Sequence, residues 1–539
     1  MVDCFRKAAY LGSAWGVCNL GICMEQGNGV EADPVQAFWL YQQAVEMGSL
    51  NAVCCLGVCY QYGIGTAPDA KQAAELYCKA AEYGSPRGQM LLARAFHDGI
   101  GVEADAAEAV YWVRAAAYQR YGEGMHRLGV CYEYGDGVEQ NWERAVHWFR
   151  EAAESGVGVA MTDLGYCYEK GCGVEQSWEQ AFSWYRRSAE CGNPVSMSNL
   201  GLCYQMGYGV EQNWQEAIKW YEQGAQCGDL QSMHNLACCY EGGEGVEQNE
   251  DRAFYWYRRS AEGGNGSAMC NLGRCYKMGY GVEQNWQEAV KWYEQGAQCG
   301  NLQSMHNLAC CYEHGEGVEQ NMTEAIRWYT AAAEGGNADD MYELGWQYDH
   351  GEGVEQDMKK AICWYERAAE QNHPAAMNSL GECYAMGRGV PRDLETAMEW
   401  YRRAAELGEA MADYNMGWHL EQAGKLSEAY THYRKAADGN DDSAWWALGR
   451  FYENGVVVAQ DGKEARRCYE TGEKLGSVKC KMRLARCKLL GIGGRRAKKA
   501  GLDLCRQALE LAKESSEKED YGYEAEMNLL RRTIAENES

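Results

Sequence analysis

Residues 128–138 of this chain read Leu-Gly-Val-Cys-Tyr-Glu-Tyr-Gly-Asp-Gly-Val, and nearly the whole sequence rewrites this stretch every 36 residues. A fixed period of this length indicates stacked supersecondary units, so the fold follows from one repeat. The first glycine of the Gly-x-Gly turn recurs at Gly27, Gly63, Gly99, Gly135, Gly171, Gly207, Gly243, Gly279, Gly315, Gly351, Gly387, Gly455 and Gly491.

Each period encodes two helices. The first, helix A, carries apolar residues at i, i+3 and i+4, such as Leu128, Cys131 and Tyr132. It ends at Gly135, a residue that can adopt the left-handed conformation beyond a helix end. The second, helix B, begins six residues later at Asp, Asn or Ser, which are good N-caps, and ends at Gly156. One such pair cannot bury its own apolar face, whereas a stack of pairs can.

The full pattern is Leu-Gly-x-x-Tyr-x-x-Gly-x-Gly-Val followed by Ala-x-x-Trp-Tyr-x-x-Ala-Ala-x-x-Gly. It resembles the Sel1-like repeat, a relative of the tetratricopeptide repeat, over almost the whole chain. The resemblance implies an all-α fold, a right-handed α/α solenoid (superhelix) of about 14 helix-turn-helix repeats. It also implies a role in protein–protein interaction and in the assembly of complexes.

The repeats predict the domain organisation. Residues 207–241 and 279–313 differ at only two positions, which indicates a two-repeat duplication. Residues 4–12 read as the tail of a helix B whose helix A is missing, so we expect the chain to lack an upstream segment. The predicted segments are a partial helix (1–12), eleven regular repeats (13–409), a degenerate tetratricopeptide-like repeat (410–443), two basic Sel1-like repeats (444–513), and a linker with a C-terminal capping helix (514–539).

Charge and hydropathy exclude two classes of partner. The net charge is −27, and a strongly acidic chain lacks the positive footprint that binding to nucleic acid needs. No apolar run approaches the length of a membrane span, so membrane insertion is not expected. The N-terminus has no apolar signal-peptide core. We therefore expect a cytoplasmic protein, monomeric and without a cofactor.

Cysteine is unusually frequent, with 26 residues. Packed helices lie about 8–10 Å apart, which is too far for the Cα separation of a disulfide. We expect reduced thiols that fill a tight position, consistent with a reducing compartment. Ten of them share one column of helix A: Cys23, Cys59, Cys131, Cys167, Cys203, Cys239, Cys275, Cys311, Cys383 and Cys487.

Two columns are candidates for binding. The tryptophans of helix B, from Trp112 to Trp400, could form a ligand ladder but are better interpreted as packing between repeats. By analogy with tetratricopeptide repeats, the helices A line a concave groove, where amides can hold a peptide backbone. The predicted partner-binding residues, which precede the repeat leucine or lie near it, are Arg127, Asn199, Asn235, Asn271, Arg274 and Asn307.

Metal binding and catalysis have weaker support. His306, Cys310 and His314 have zinc-ligand side chains, but the two histidines lie two turns apart, about 12 Å along the axis, so no metal site is predicted. No catalytic residues can be placed. Some cysteine-rich Sel1-like proteins are classed as β-lactamase-like or penicillin-binding, but they carry a cysteine pair in each repeat. We therefore expect a non-enzymatic scaffold or adaptor; the alternatives are a β-lactamase-like hydrolase and the regulatory repeat region of a larger protein.

Overall fold

The computed structural model describes residues 2–518 and 523–538, which form thirty α-helices and no strand. The helices are α1 (Val2–Tyr10), α2 (Ala14–Gln26), α3 (Pro34–Glu46), α4 (Leu50–Tyr62), α5 (Ala70–Glu82), α6 (Pro86–Asp98), α7 (Ala106–Tyr118), α8 (Gly122–Tyr134), α9 (Trp142–Glu154), α10 (Gly158–Lys170), α11 (Trp178–Glu190), α12 (Pro194–Met206), α13 (Trp214–Gln226), α14 (Leu230–Gly242), α15 (Glu250–Glu262), α16 (Gly266–Met278), α17 (Trp286–Gln298), α18 (Leu302–His314), α19 (Met322–Glu334), α20 (Ala338–His350), α21 (Met358–Glu370), α22 (Pro374–Met386), α23 (Leu394–Glu406), α24 (Ala410–Gln422), α25 (Leu426–Asp438), α26 (Asp442–Asn454), α27 (Gly462–Lys474), α28 (Val478–Leu490), α29 (Lys498–Lys518) and α30 (Glu524–Glu538).

The helices form two units, Met1–Asn285 with α1–α16 and Trp286–Ser539 with α17–α30. Within each unit, helix A of a repeat packs closely on helix B of the same repeat, and helix B packs on helix A of the next. The predicted all-α stack of helix pairs is confirmed. Even-numbered helices from α2 to α28 are helices A, and odd-numbered helices from α3 to α29 are helices B.

Local capping sets the helix ends, as the sequence predicts. In the repeat with α12 and α13, helix A ends at Gly207, which has φ 75°, and its N–H bonds the carbonyl of Cys203. Helix B then begins after Asn213, whose side chain accepts a hydrogen bond from the backbone N–H of Glu216. These contacts satisfy helix-end groups locally. Every helix from α2 to α28 is 13 residues long.

The core of each repeat is a tyrosine ring between small residues. Tyr221 has 0% of its surface exposed and lies against Gly201, where an added Cβ would come within 2.5 Å of the ring. Alanines such as Ala217 and Ala225 let the helices approach closely. All ten cysteines of the predicted column are buried, as expected for small apolar side chains.

The tryptophan column packs on this core but does not form its centre. All nine tryptophans from Trp112 to Trp400 are half-buried, whereas the aromatic ring that follows most of them is fully buried. A guanidinium often covers the outer tryptophan face; Arg367 lies 4.3 Å from the ring centre of Trp364. The prediction of repeat packing therefore holds for these rings, but the adjacent tyrosine is the main core residue.

The chain departs from the regular repeat near its end. Helix α24 ends with Ala423 as its C-cap and α25 begins at Leu426, so this loop is shorter than the others. The predicted linker 514–522 lies partly within α29, which reaches Lys518, and residues 519–522 lie outside the described residues. Helix α30 packs on α28 and α29.

Candidate partner-binding surface

Each helix A carries three side chains at fixed positions relative to its repeat leucine: one residue before it, two residues after it and five residues after it. We call the set of these side chains the helix-A surface. Four predicted binding residues lie there in the first unit: Arg127 in α8, Asn199 in α12, Asn235 in α14 and Asn271 in α16. Each is partly exposed, so each can contact both solvent and its neighbours. Arg274, also in α16, is exposed.

The buried tyrosines anchor this surface from below. The hydroxyl of Tyr221 donates to Gln205 Oε1 at 2.7 Å, and the hydroxyl of Tyr257 donates to Glu241 Oε2 at the same distance. In both repeats the acceptor residue lies five residues after the repeat leucine and sixteen residues before the tyrosine. Burial raises the pKa of Tyr257, so its hydroxyl stays protonated as a donor. Each acceptor is thereby fixed with one side toward solvent.

Three of the predicted residues are linked to Glu241 through neighbouring side chains. His234 Nε2 lies 3.8 Å from Cys238 Sγ, which lies 3.2 Å from the Tyr257 hydroxyl that bonds Glu241. His234 Nδ1 lies 3.4 Å from Asn235 Oδ1, and His234 Nε2 lies 3.1 Å from Asn271 Nδ2 in the next repeat. The Arg274 guanidinium donates to Glu241 Oε2 at 2.7 Å. Burial lowers the pKa of His234, so the imidazole is a neutral link between the two amides. The sequence patterns did not identify His234 or Glu241 as members of this surface.

The other predicted residues do not join this network. Arg127 lies three repeats before Asn235 in the chain. Its guanidinium group lies 4.0 Å from Asp136 Oδ2. Asn199 lies one repeat before Asn235, and Asn307 lies in α18 of the second unit. Asn235, Asn271 and Arg274 are therefore brought together in the first unit, whereas Arg127 and Asn199 lie in other repeats of that unit and Asn307 lies in the second unit.

Apolar side chains flank the amides on α12. Val195 and Leu202 are 53% and 41% exposed and lie on either side of Asn199 in the helix register. Tyr166 in α10 is 44% exposed at the register of Leu202. Exposed apolar residues beside an amide suit a peptide-binding surface, because apolar contacts give affinity and an amide can fix the orientation of a bound backbone.

In the rejected zinc set, His306 Nε2 lies 3.6 Å from Cys310 Sγ, but the Nδ1 atom of each histidine faces a partner other than the zinc-ligand side chains. His314 Nδ1 lies 3.0 Å from the backbone oxygen of Cys310, and His306 Nδ1 lies 2.7 Å from Asp340 Oδ1. Within residues 2–518 and 523–538, no group of three or more His, Cys, Asp or Glu side chains is arranged to hold a metal ion. None of the helices in this part of the chain combines the length and the apolar character that crossing a bilayer requires.

Two solved structures are similar to this chain in sequence. The chain is 32% identical to c5321, a protective antigen of uropathogenic Escherichia coli with an SLR fold; the match covers 84% of this chain and 97% of that one, with a TM-score of 0.57. A Sel1 repeat protein from Oxalobacter formigenes is 31% identical, over 46% of this chain and 99% of the other, with a TM-score of 0.43. No curated protein matches the chain.

The family comparison covers most of the sequence. The family model described as Sel1 repeat matches thirteen segments of the chain, residues 16–49, 52–85, 86–121, 122–157, 158–193, 194–229, 230–265, 266–301, 302–337, 338–373, 374–409, 410–441 and 444–477. These thirteen segments follow the helix pairs from α2 to α27. Together with the helix architecture, they show that the chain belongs to the Sel1 repeat family.

Proposed function

We propose that this protein is a non-enzymatic scaffold or adaptor that binds partner proteins or peptides along the helix-A surface, as a monomer in the cytoplasm. The observation that carries the proposal is the link from Asn235 through His234 to Asn271, which orients two half-exposed amides on successive repeats. Amides that offer both a donor and an acceptor can hold an extended backbone of any sequence.

Affinity would come from many weak contacts. A single hydrogen bond contributes about 0.5–1.5 kcal/mol net, so one asparagine carries little of the binding energy. Exposed Val195, Leu202 and Tyr166 add apolar contact next to Asn199. We expect partners that present an extended segment with apolar side chains at intervals.

The test begins with capture of partners by the full-length protein from its native lysate, followed by a Kd for the purified partner. Replacing Asn199, Asn235, Asn271 and Asn307 together by alanine should weaken binding by orders of magnitude. Because Asn271 bonds His234, the melting temperature of each single variant is measured first.

The matched control is Arg187→Ala with Arg367→Ala, which removes one exposed and one half-buried guanidinium group, each packed on a tryptophan of helix B. It should leave the Kd unchanged. A folded four-asparagine variant that binds at full affinity would show that the partner uses another surface, such as residues 461–500, where 13 Lys or Arg outnumber 4 Asp or Glu. A nitrocefin assay tests the alternative of a β-lactamase-like hydrolase, and we expect no turnover.

A further inference from the structure

Two repeats lack the buried aromatic ring that forms the core of the other twelve. The ring position of helix B is aromatic and at most 2% exposed in twelve repeats, whereas it is Val113 in α7 and Cys505 in α29. A cavity lined by the ring-position residue is found at Val113. The twelve rings are Tyr41, Tyr77, Phe149, Tyr185, Tyr221, Tyr257, Tyr293, Tyr329, Tyr365, Tyr401, Tyr433 and Tyr469.

Tyr185 shows what the ring touches elsewhere. Its edge lies against Gly165, one residue after the repeat leucine, and its hydroxyl donates to Glu169 Oε2 at 2.8 Å, five residues after that leucine. In the repeat of Val113 the corresponding residues are Ala93 and His97. The missing ring therefore leaves space between a small residue and a polar one.

A cavity occupies that place. It has a volume of about 360 Å³, and its apolar wall includes Val113, Ala109 and Ala93. The volume is within the range of small-ligand pockets, about 300–1,000 Å³. His97 and Arg94 lie at its polar end, with Arg127 of the next repeat. Arg127, a predicted binding residue, thus lines a cavity that the sequence patterns did not reveal.

The polar end holds fixed acceptors. His97 Nδ1 lies 2.7 Å from Asp98 Oδ1, and His97 Nε2 lies 3.2 Å from Asp136 Oδ2. Arg94 donates to Asp98 at 3.3 Å, and the hydrogen bond with His97 lowers the pKa of Asp98. Glu123 adds a third carboxylate to the lining, which also holds two arginines and His97.

We propose that this cavity binds the phenol side chain of a tyrosine presented by a partner protein, in the place that the repeat's own tyrosine fills elsewhere. The inference rests on the proposed function and names one residue type that the partner presents. The ring would pack on Val113 and Ala93, and its hydroxyl would donate to a carboxylate at the polar end, as the hydroxyl of Tyr185 does to Glu169.

The charged groups at the polar end determine which aromatic side chain the cavity binds. A phenylalanine ring would leave the polar groups without a hydroxyl partner, which costs affinity. A phosphotyrosine would bring a charge close to −2 beside three carboxylates, and the arginines and the histidine that could attract it already face Asp98 and Asp136. Unmodified tyrosine is therefore the expected occupant.

The test uses N-acetyl-tyrosinamide and the full-length protein, with saturation-transfer NMR and a titration for Kd. We expect saturable binding of the tyrosine probe, and binding at least about tenfold weaker for the phenylalanine and phosphotyrosine analogues. Crystals soaked with 4-bromophenol should show an anomalous peak between Val113 and His97. Absence of binding, equal binding of the phosphotyrosine analogue, or a bromine peak only elsewhere would overturn the proposal.

The matched variant is Val113→Tyr, which restores the ring. Ala93 does not forbid this ring, because Ala237 and Ala309 occupy the same register in repeats that bury Tyr257 and Tyr329. The variant should lower probe binding at least about tenfold, since the cavity is then filled. The bromophenol crystal, which needs no variant, still tests the site if this variant fails to fold.

Partner binding separates this inference from the proposed function. We expect Val113→Tyr to weaken the binding of both a captured partner and the tyrosine probe. A partner that binds the folded variant and the wild type equally would overturn the tyrosine inference while the scaffold function stands. A protein that binds the probe but captures no partner would overturn the scaffold function.

Discussion

His306 Nδ1 lies 2.7 Å from Oδ1 of Asp340, a carboxylate with no exposed surface. Residues 302–313 around this histidine are identical in sequence to residues 230–241 around His234. In the earlier copy Ala268 stands at the register of Asp340, and the imidazole bonds Asn271 instead. The following repeat, with Asp340 in place of Ala268 and Glu343 in place of Asn271, therefore gives two identical segments different electrostatics.

We expect the two histidines to affect stability with opposite pH dependence. The hydrogen bond with Asp340 raises the pKa of His306 from 6.5 to about 10, so the stability it contributes is full below pH 6.5 and lost as the pH rises toward 10. Burial lowers the pKa of His234, so that residue costs stability as the pH falls through 6.5. Urea unfolding of His306→Asn and His234→Asn from pH 5 to pH 10 measures both effects.

Asp340→Ala is the matched control, because it gives the second copy the residue of the first. The advantage of the wild type over this variant should be largest near pH 6 and should shrink toward pH 10. Glu343, whose pKa is raised by burial, and Cys310 also face His306 and are unchanged in the variant. A constant difference across this range would show that Asp340 does not control the charge of His306.

Neighbouring aromatic residues should differ sharply in their effect on stability. Tyr221→Ala removes a fully buried ring and its hydrogen bond to Gln205, and should cost about 3–5 kcal/mol of unfolding free energy. Trp220→Ala removes a half-buried ring and should cost about 1–2 kcal/mol. Urea midpoints measured by circular dichroism compare them. A larger loss for Trp220→Ala would reverse the roles assigned to these two columns.

The sequence predicted the helix pairs because their determinants are local. Asn213 caps α13 and Gly207 ends α12 through contacts within a few residues, and such contacts repeat with the period. The sequence did not show which of Trp220 and Tyr221 forms the core. Adjacent residues on one helix point about 100° apart, and the choice depends on how the next repeat packs.

The candidate site was only partly predictable for the same reason. Asn235, Asn271 and Arg274 could be chosen from their register, but their link through His234 and Glu241 joins neighbouring repeats. The cavity at Val113 was not predicted, because a missing ring is informative only once its column is known to be buried.

The cysteines should behave as free thiols of two classes. Cys4, Cys191, Cys227, Cys299 and Cys363 are exposed and should react with a thiol reagent within minutes. Burial raises the pKa of Cys131 to about 11 and of Cys167 to about 12, so buried thiols of this kind react slowly in the folded protein. After anaerobic purification without reductant, denaturation should expose close to all 26. Ten or more intact disulfides would contradict the proposed reducing compartment.

The last prediction removes whole repeats. Deleting the 72 residues from Gly207 through Met278 joins Met206 to Gly279. Helix α12 is then followed by Gly279, a left-handed C-cap glycine like Gly207. Because contacts in a repeat stack are between nearest neighbours, the shorter chain should stay folded and helical. Deleting 50 residues, from Gly207 through Trp256, joins α12 to the middle of α15 and should cause aggregation. Circular dichroism and size-exclusion chromatography compare the two chains, and identical behaviour would contradict an architecture in which the repeat register carries the fold.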